Sequence, residues 1–283
     1  MTSHDLTAPA LPETDQRIHL SPRDIPPLPG ATVELLGIAN DPTVCFSTLA
    51  QVVRRDQALT LRMLSVANSP YYGCSRRIDS IRGAVAVLGT RQVQNIASAM
   101  ALSPAFESPH GPQLWKHGLT TAVWTTQVTR ALSIPPLDYV FTAGLLHDIG
   151  VVVLLSHAPQ VESACLTEAH SSGRPLVELE QDRLGTDHAS LGARACSSWK
   201  LPERLADLVG KHHDVEQSSA LDHRVLHAAN ALARLCEDRD PGPASLGWEA
   251  ALATLERLDL DEDEMLALLG ARGDVLAEVD GFA

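Results

Sequence analysis

The chain has 283 residues, 45% of them hydrophobic and 4% aromatic, enough apolar material for the core of one large domain or two modest ones. Ala and Leu abound while β-branched runs are short, so an all-α protein is predicted, with helices packing on helices. Of the formal charge of −13, residues 237–283 contribute thirteen acids against three arginines, and this overall acidity argues against non-specific nucleic-acid binding.

Residues 1–24 read as a disordered arm, since they bury little and are punctuated by Pro9, Pro12 and Pro22. They lack a charged-then-apolar leader, so neither a secretory signal nor a transit peptide is expected. A domain is predicted over 25–237, and its first part, 25–103, is a helical subdomain. Its helices run from Ala31 to Ala39, Phe46 to Arg54, Asp56 as N-cap to Ala67, Ile81 to Leu88 behind Asp79-Ser80, and Thr90 to Leu102. Asn40-Asp41-Pro42, Asn68-Ser69-Pro70 and Gly89 stop them. Between Arg54 and Arg91 seven arginines stand against two aspartates, a stretch that can receive an anionic partner. An ordinary solvated face explains it better, because no aromatics are interleaved for base stacking.

Ser103 to Pro112, with Pro104, Pro109, Gly111 and Pro112, reads as a loop and as the seam to a second helical part, 113–237. There the pattern predicts helices from Gln113 to Leu132, Asp138 to Leu155, Val161 to His170, Leu176 to Leu184, Asp187 to Trp199, Glu203 to His212 and His223 to Cys236. Residues 238–283 form an acidic helical extension, with helices from Glu249 to Leu258 and Glu262 to Leu269, serving as a solvated cover or as a docking surface. Tyr139 to Leu155 is the one membrane-like stretch; too short and broken by a charge, it reads as a buried helix, so no membrane association is expected. Cys45, Cys74, Cys165, Cys196 and Cys236 contain no C-x-x-C pair and read as reduced thiols of a cytoplasmic protein.

His147-Asp148, inside Gly144-Leu145-Leu146-His147-Asp148-Ile149-Gly150, is the most informative feature. An imidazole and a carboxylate in so apolar a stretch need hydrogen-bond partners and a counter-charge, which a metal ion or a cationic neighbour supplies. No G-x-S-x-G, Walker loop or G-x-G-x-x-G after a strand is present, so nucleophile-elbow and nucleotide-loop chemistry are set aside.

Two blocks of motifs resemble one family. Leu28-Pro29-Gly30, Asp56-Gln57-Ala58-Leu59-Thr60, Ala67-Asn68-Ser69-Pro70-Tyr71-Tyr72-Gly73 and Ala86-Val87-Leu88-Gly89 are similar to the first half of the HDOD domain, the HD-related output domain of bacterial signalling proteins. Trp115-Lys116-His117, Leu145 to Gly150, Asp187-His188-Ala189-Ser190-Leu191-Gly192-Ala193, Trp199-Lys200-Leu201-Pro202, His212-His213 and His227-Ala228-Ala229-Asn230 resemble its second half. The Asn-Ser-Pro-Tyr-Tyr-Gly turn is the sharpest signal, since HD phosphohydrolases in general lack that block. Physically, Pro70 forbids a helix through Ser69 and Gly73 permits a positive φ, so the turn stops a helix sharply, and Tyr71 and Tyr72 are expected to pack.

The resemblance implies an N-terminal helical bundle packed against a degenerate HD-like bundle. It also implies a metal site, for HD enzymes hold a divalent ion through a His, the adjacent His-Asp and a distant Asp. His117, His147, Asp148, His188, His212 and His213 stand at matching positions, and imidazole with carboxylate suits Fe, Mn, Zn or Ni. Departures cut the other way: Asn230 replaces the distant Asp, Val151 follows the motif where Lys is common, no Gly-Tyr-Pro follows His213, and Gln113 stands where trimetal relatives carry Glu. No catalytic residue is assigned. With Asp148 as sole carboxylate, a softer ion is favoured over a hard one.

Simpler readings compete: a core pair without an ion for His147 and Asp148, and helix-end carbonyl bonds for His212 and His213. His188 lies just inside a helix, and His4, His19, His110, His157, His170 and His223 are expected at the surface. The function expected is a non-catalytic regulatory domain of signal transduction, acting on a signalling protein partner or a small ligand. The alternative is a metal-dependent phosphohydrolase acting on a nucleotide or cyclic dinucleotide.

Overall fold

Fifteen α-helices and no strand occur among the residues that the computed structural model describes, which are 17–21, 23–28, 30–39, 46–73, 77–107, 109–135, 137–214, 220–237 and 246–282. The fold is all-α. The expected arm lies almost wholly outside the described residues, as do His4, Cys45 and Cys74.

The first four helices are α1 (Gly30–Ala39), α2 (Phe46–Arg55), α3 (Gln57–Ala67) and α4 (Ile81–Leu102). Their ends are set by side chains that satisfy free backbone groups. Asp56 accepts the Leu59 amide at 3.0 Å to start α3, and Ser80 accepts the Gly83 amide at 3.1 Å to start α4. Asn68 ends α3 and ties down the turn after it: its amide nitrogen donates to the carbonyls of Leu64 and Ile78, each at 2.7 Å, and its oxygen accepts the Ile78 amide at 2.7 Å. The two helices expected on either side of Gly89 are both present within Ile81–Leu102, because Gly89, at φ +81° and ψ 160°, leaves helical geometry and breaks the run between them.

The expected seam is shorter than its prolines suggest. A 3₁₀ turn occupies Ser103–Phe106, and α5 (Gly111–Ala131) already begins at Gly111, with Pro112 in the first turn where a missing amide hydrogen goes unnoticed. The second part continues with α6 (Asp138–Leu146), α7 (Ile149–His157), α8 (Pro159–Ser172), α9 (Leu176–Leu184), α10 (His188–Ser198), α11 (Glu203–Gly210) and α12 (Leu221–Glu237). One apolar core runs through both parts, from Ile25 to Phe282, with Trp124 among its largest fully buried side chains. The Trp199 indole also ties α10 to the N-terminal segment by donating to the Pro26 carbonyl at 2.8 Å.

The single helix expected from Asp138 to Leu155 is two helices, α6 and α7, parted at His147-Asp148. Asp148 leaves helical geometry at φ −98°, ψ 13°, and its side chain caps nothing. The stretch from Tyr139 to His157 is long and apolar enough to cross a membrane, yet 78% of it is buried inside the protein. Past residue 245 the chain forms α13 (Leu246–Leu255), α14 (Glu262–Gly270) and α15 (Arg272–Asp280). Of these α13 packs on α12, while α14 and α15 pack on α5. No helix was expected over α15, and it rests against the Tyr71-Tyr72 turn. Glu278 accepts from the Tyr71 hydroxyl at 2.9 Å and from the Gln92 amide at 2.8 Å, and the Tyr72 hydroxyl lies 3.5 Å away.

Candidate metal centre

All six candidate ligands converge. His117 comes from the middle of α5, His147 and Asp148 from the break between α6 and α7, His188 from the first position of α10, and His212 and His213 from the turn after α11. Close backbone approach makes this possible. A Cβ on Gly150 would stand 1.9 Å from the His188 carbonyl oxygen, so only glycine lets α7 come near enough to α10 to set Asp148 beside His188.

Asp148 is the hub. Four imidazole Nε2 atoms surround its carboxylate: His147 at 3.2 Å and His117 at 3.7 Å from Oδ2, and His212 at 3.4 Å and His188 at 3.5 Å from Oδ1. Burial works to raise its pKa, but these imidazoles, His147 foremost, outweigh burial and hold it well below the carboxylate range. It remains an anion.

Three histidines are pinned through Nδ1. His147 donates to the Gly144 carbonyl at 2.8 Å, His212 to the Val209 carbonyl at 2.7 Å, and His188 to the Glu180 carboxylate at 2.7 Å. Each bond fixes the tautomer and leaves an Nε2 lone pair facing Asp148. Burial lowers the pKa of all three, His147 to about 4, so they stand as neutral ligands at physiological pH. The Nε2 atoms of His147 and His212 are buried with no hydrogen-bond partner, since both lie near Asp148 but off the line a hydrogen bond needs. His213 completes the group: its Nε2 is 2.9 Å from that of His188, and burial, with His212 next, lowers its pKa. Orphaned, converging nitrogens around one carboxylate make a donor set that could hold a metal ion.

His117 is different. Its Nδ1 lies 2.8 Å from a Glu237 carboxylate oxygen and its Nε2 lies 3.0 Å from the Asn230 side-chain oxygen. Burial opposes its charging, but Glu237, followed by Asp148, raises its pKa nonetheless. Two ligand sets therefore share Asp148: His117 and His147 on one side, and His188, His212 and His213 on the other. The helix-end alternative for His212 holds in part, because its Nδ1 does bond a last-turn carbonyl while its Nε2 faces the site.

A buried carboxyl pair behind His188 was not foreseen. Glu180 accepts both the His188 ring hydrogen and its backbone amide, the latter at 2.8 Å. Glu162 on α8 faces Glu180, and both are fully buried. Neither Glu162 oxygen finds a donor, so two ionised carboxylates cannot coexist there. Burial, then the neighbouring Glu180, pushes Glu162 up to about 9, whereas burial raises Glu180 against the His188 amide and Glu162, which both favour its anion, so the pair's proton rests on Glu162 and Glu180 is the carboxylate. As an acid, Glu162 donates to Glu180. Glu237, seven residues from Asn230 on α12, carried a faint signal in its spacing, whereas Glu162 and Glu180 look like ordinary solvated helix positions.

His223, expected at the surface, is buried, because Asp207 and Asp222 draw it in at 3.3 and 3.5 Å. His19, His110, His157 and His170 are exposed. Cys165 and Cys196 are buried free thiols and Cys236 is half-buried. Away from the centre, Arg55 and Arg62 line a cleft together with Glu34 and Asp56, and Arg55 pairs with Glu34 at 3.2 Å.

The model of the HDOD domain family matches residues 25–215. An HDOD domain protein of unknown function from Geobacter sulfurreducens, known from its crystal structure, is 26% identical, with a TM-score of 0.72 over 91% of this chain and 92% of that one. A Shewanella amazonensis protein named as a candidate phosphohydrolase is 24% identical, with a TM-score of 0.75 over 93% of this chain and 96% of its own, a likeness of fold. An uncharacterised protein of Treponema pallidum (strain Nichols) is 28% identical over 198 residues, 68% of this chain and 38% of its own length. The chain thus spans well under half of that relative.

Proposed function

Because the chain belongs to the HDOD family, we propose that it is a non-catalytic regulatory domain of signal transduction, which holds a divalent transition metal at the Asp148 centre and works by binding a signalling protein or a small ligand. One observation carries this reading. Among the described residues Asp148 is the only carboxylate facing the imidazole Nε2 atoms, and at Asn230, where the resemblance calls for a second acid, a neutral amide meets His117 instead. A bound ion would supply fixed positive charge that cross-links three separate segments, the α6/α7 break, the start of α10 and the turn after α11. The chain's own residues do the rest. Gly144, Val209 and Glu180 orient the imidazoles, and the surrounding apolar core keeps water from His147 and His212, which are fully buried.

The second reading, a metal-dependent phosphohydrolase acting on a nucleotide or cyclic dinucleotide, draws on the same convergence of five imidazoles and one carboxylate. Turnover separates the two. Zn-, Mn-, Fe- and Ni-loaded protein is assayed against nucleotide phosphoesters and cyclic dinucleotides, beside the Asp148→Ala variant. No release above that of the variant is expected; release that Asp148→Ala abolishes, in a variant that stays folded, would favour the enzyme.

A further inference from the structure

Resting on the metal reading above, we propose that the chain holds a single ion, bound by Asp148, His188, His212 and His213, and that Glu180 is the positioning residue that makes this half of the centre the stronger one. This departs from what the resemblance implies, namely a primary site built on His117, His147, Asp148 and a distant acid.

The argument is a count of free lone pairs. On the His117 side, both ring nitrogens of His117 are taken: Nδ1 by Glu237 at 2.8 Å and Nε2 by Asn230 at 3.0 Å. That leaves His147 and Asp148, two donors, which is short of the four a tetrahedral divalent site uses. On the other side, His212 Nε2 has no partner, and His188, whose Nδ1 donates to Glu180, presents its Nε2 lone pair to His213 and not to a protein acceptor. His213 Nε2 lies 2.9 Å from His188 Nε2, a separation at which two lone pairs repel unless a proton or a cation stands between them. With Asp148 these make four donors whose ligand atoms lie within 4.8 Å of one another.

Glu180 distinguishes this half further. It is fully buried, it accepts both the ring hydrogen and the backbone amide of His188, and Glu162 backs it from α8. A carboxylate behind a ligating imidazole fixes the ring and raises its basicity, and losing such a partner typically weakens metal binding about 10–100-fold. His147 and His212, by contrast, are held only by backbone carbonyls.

The test is Zn(II) binding by the full chain after chelator stripping, read as ions per chain by elemental analysis after equilibrium dialysis, and as affinity by competition with a chromophoric chelator. Wild type is expected to take one ion. His188→Ala and His213→Ala are expected to weaken it at least tenfold, Glu180→Gln by about 10–100-fold, and His117→Ala by less than about threefold. Far-UV circular dichroism and the apo-protein Tm show which variants are folded; Glu180→Gln keeps side-chain volume and His213 is only half-buried, so the test survives if His188→Ala does not fold. Two ions per wild-type chain, equal losses in His117→Ala and His213→Ala, or wild-type affinity in folded Glu180→Gln would each overturn the inference while leaving the metal reading standing. A folded wild-type chain that takes up no Zn(II) would sink both.

Discussion

At Gly150 the backbone of α7 meets that of α10 with no room for a side chain, the Cβ position lying 1.9 Å from the His188 carbonyl oxygen. Gly150→Ala must push the two helices apart, and with them Asp148 from His188. The expected cost is about 1–3 kcal/mol of unfolding free energy, read from urea titration, together with weaker metal uptake; wild-type stability would show that the two helices do not pack so closely. The Glu162–Glu180 pair makes a pH-dependent prediction. A carboxyl raised from 4.5 to about 9 in the folded state keeps a proton that the unfolded chain has already released. Stability therefore falls as pH rises from about 5 to about 9. Glu162→Gln, which keeps a donor facing Glu180, is expected to flatten that fall and to exceed wild type by on the order of 2 kcal/mol at pH 8. Urea titrations of chelator-treated protein at pH 5 and pH 8 read it, and parallel pH curves for the two proteins would refute it.

Among the elements, α15 does most with a short sequence. Its Glu278 is 8% exposed and gathers Tyr71, Tyr72 and Gln92, joining the end of the chain to the turn that follows α3. Glu278→Ala leaves the Tyr71 hydroxyl and the Gln92 amide without their shared acceptor, and a loss of about 1–3 kcal/mol is expected; a change below about 0.5 kcal/mol would mean that water replaces it at no cost. Legibility in the sequence followed the same scale. Helices with local punctuation were readable: Asp56 and Ser80 cap where expected, because an N-cap bond reaches only three residues along the chain. The break at His147-Asp148 was not, since it answers to α10 and α12 and not to its own neighbours, and a uniformly apolar stretch gives no sign of where it bends. The six ligands were legible as motif residues. Glu180 was not, because what makes it matter is the approach of α9 to α10, and a glutamate in Leu-Val-Glu-Leu-Glu-Gln looks solvated. His223 was misplaced for the same reason, its burial being set by Asp207 and Asp222 on two helices.

At the level of the whole molecule, one apolar core carries both helical parts and the C-terminal helices, and the buried polar groups beside it include the imidazoles gathered around Asp148. There the balance of charge is unusual: one carboxylate among five imidazoles, three of them kept neutral by burial with their free nitrogens turned inward. Such a nest is costly without a cation to fill it, and in the proposed reading its lack of a second acid separates holding an ion from using one. That claim is tested most directly by elemental analysis of the chain purified without an affinity tag or chelator. The account predicts close to one transition-metal ion per folded chain. A folded, stable chain free of Fe, Mn, Zn and Ni that also takes none up on dialysis would contradict it.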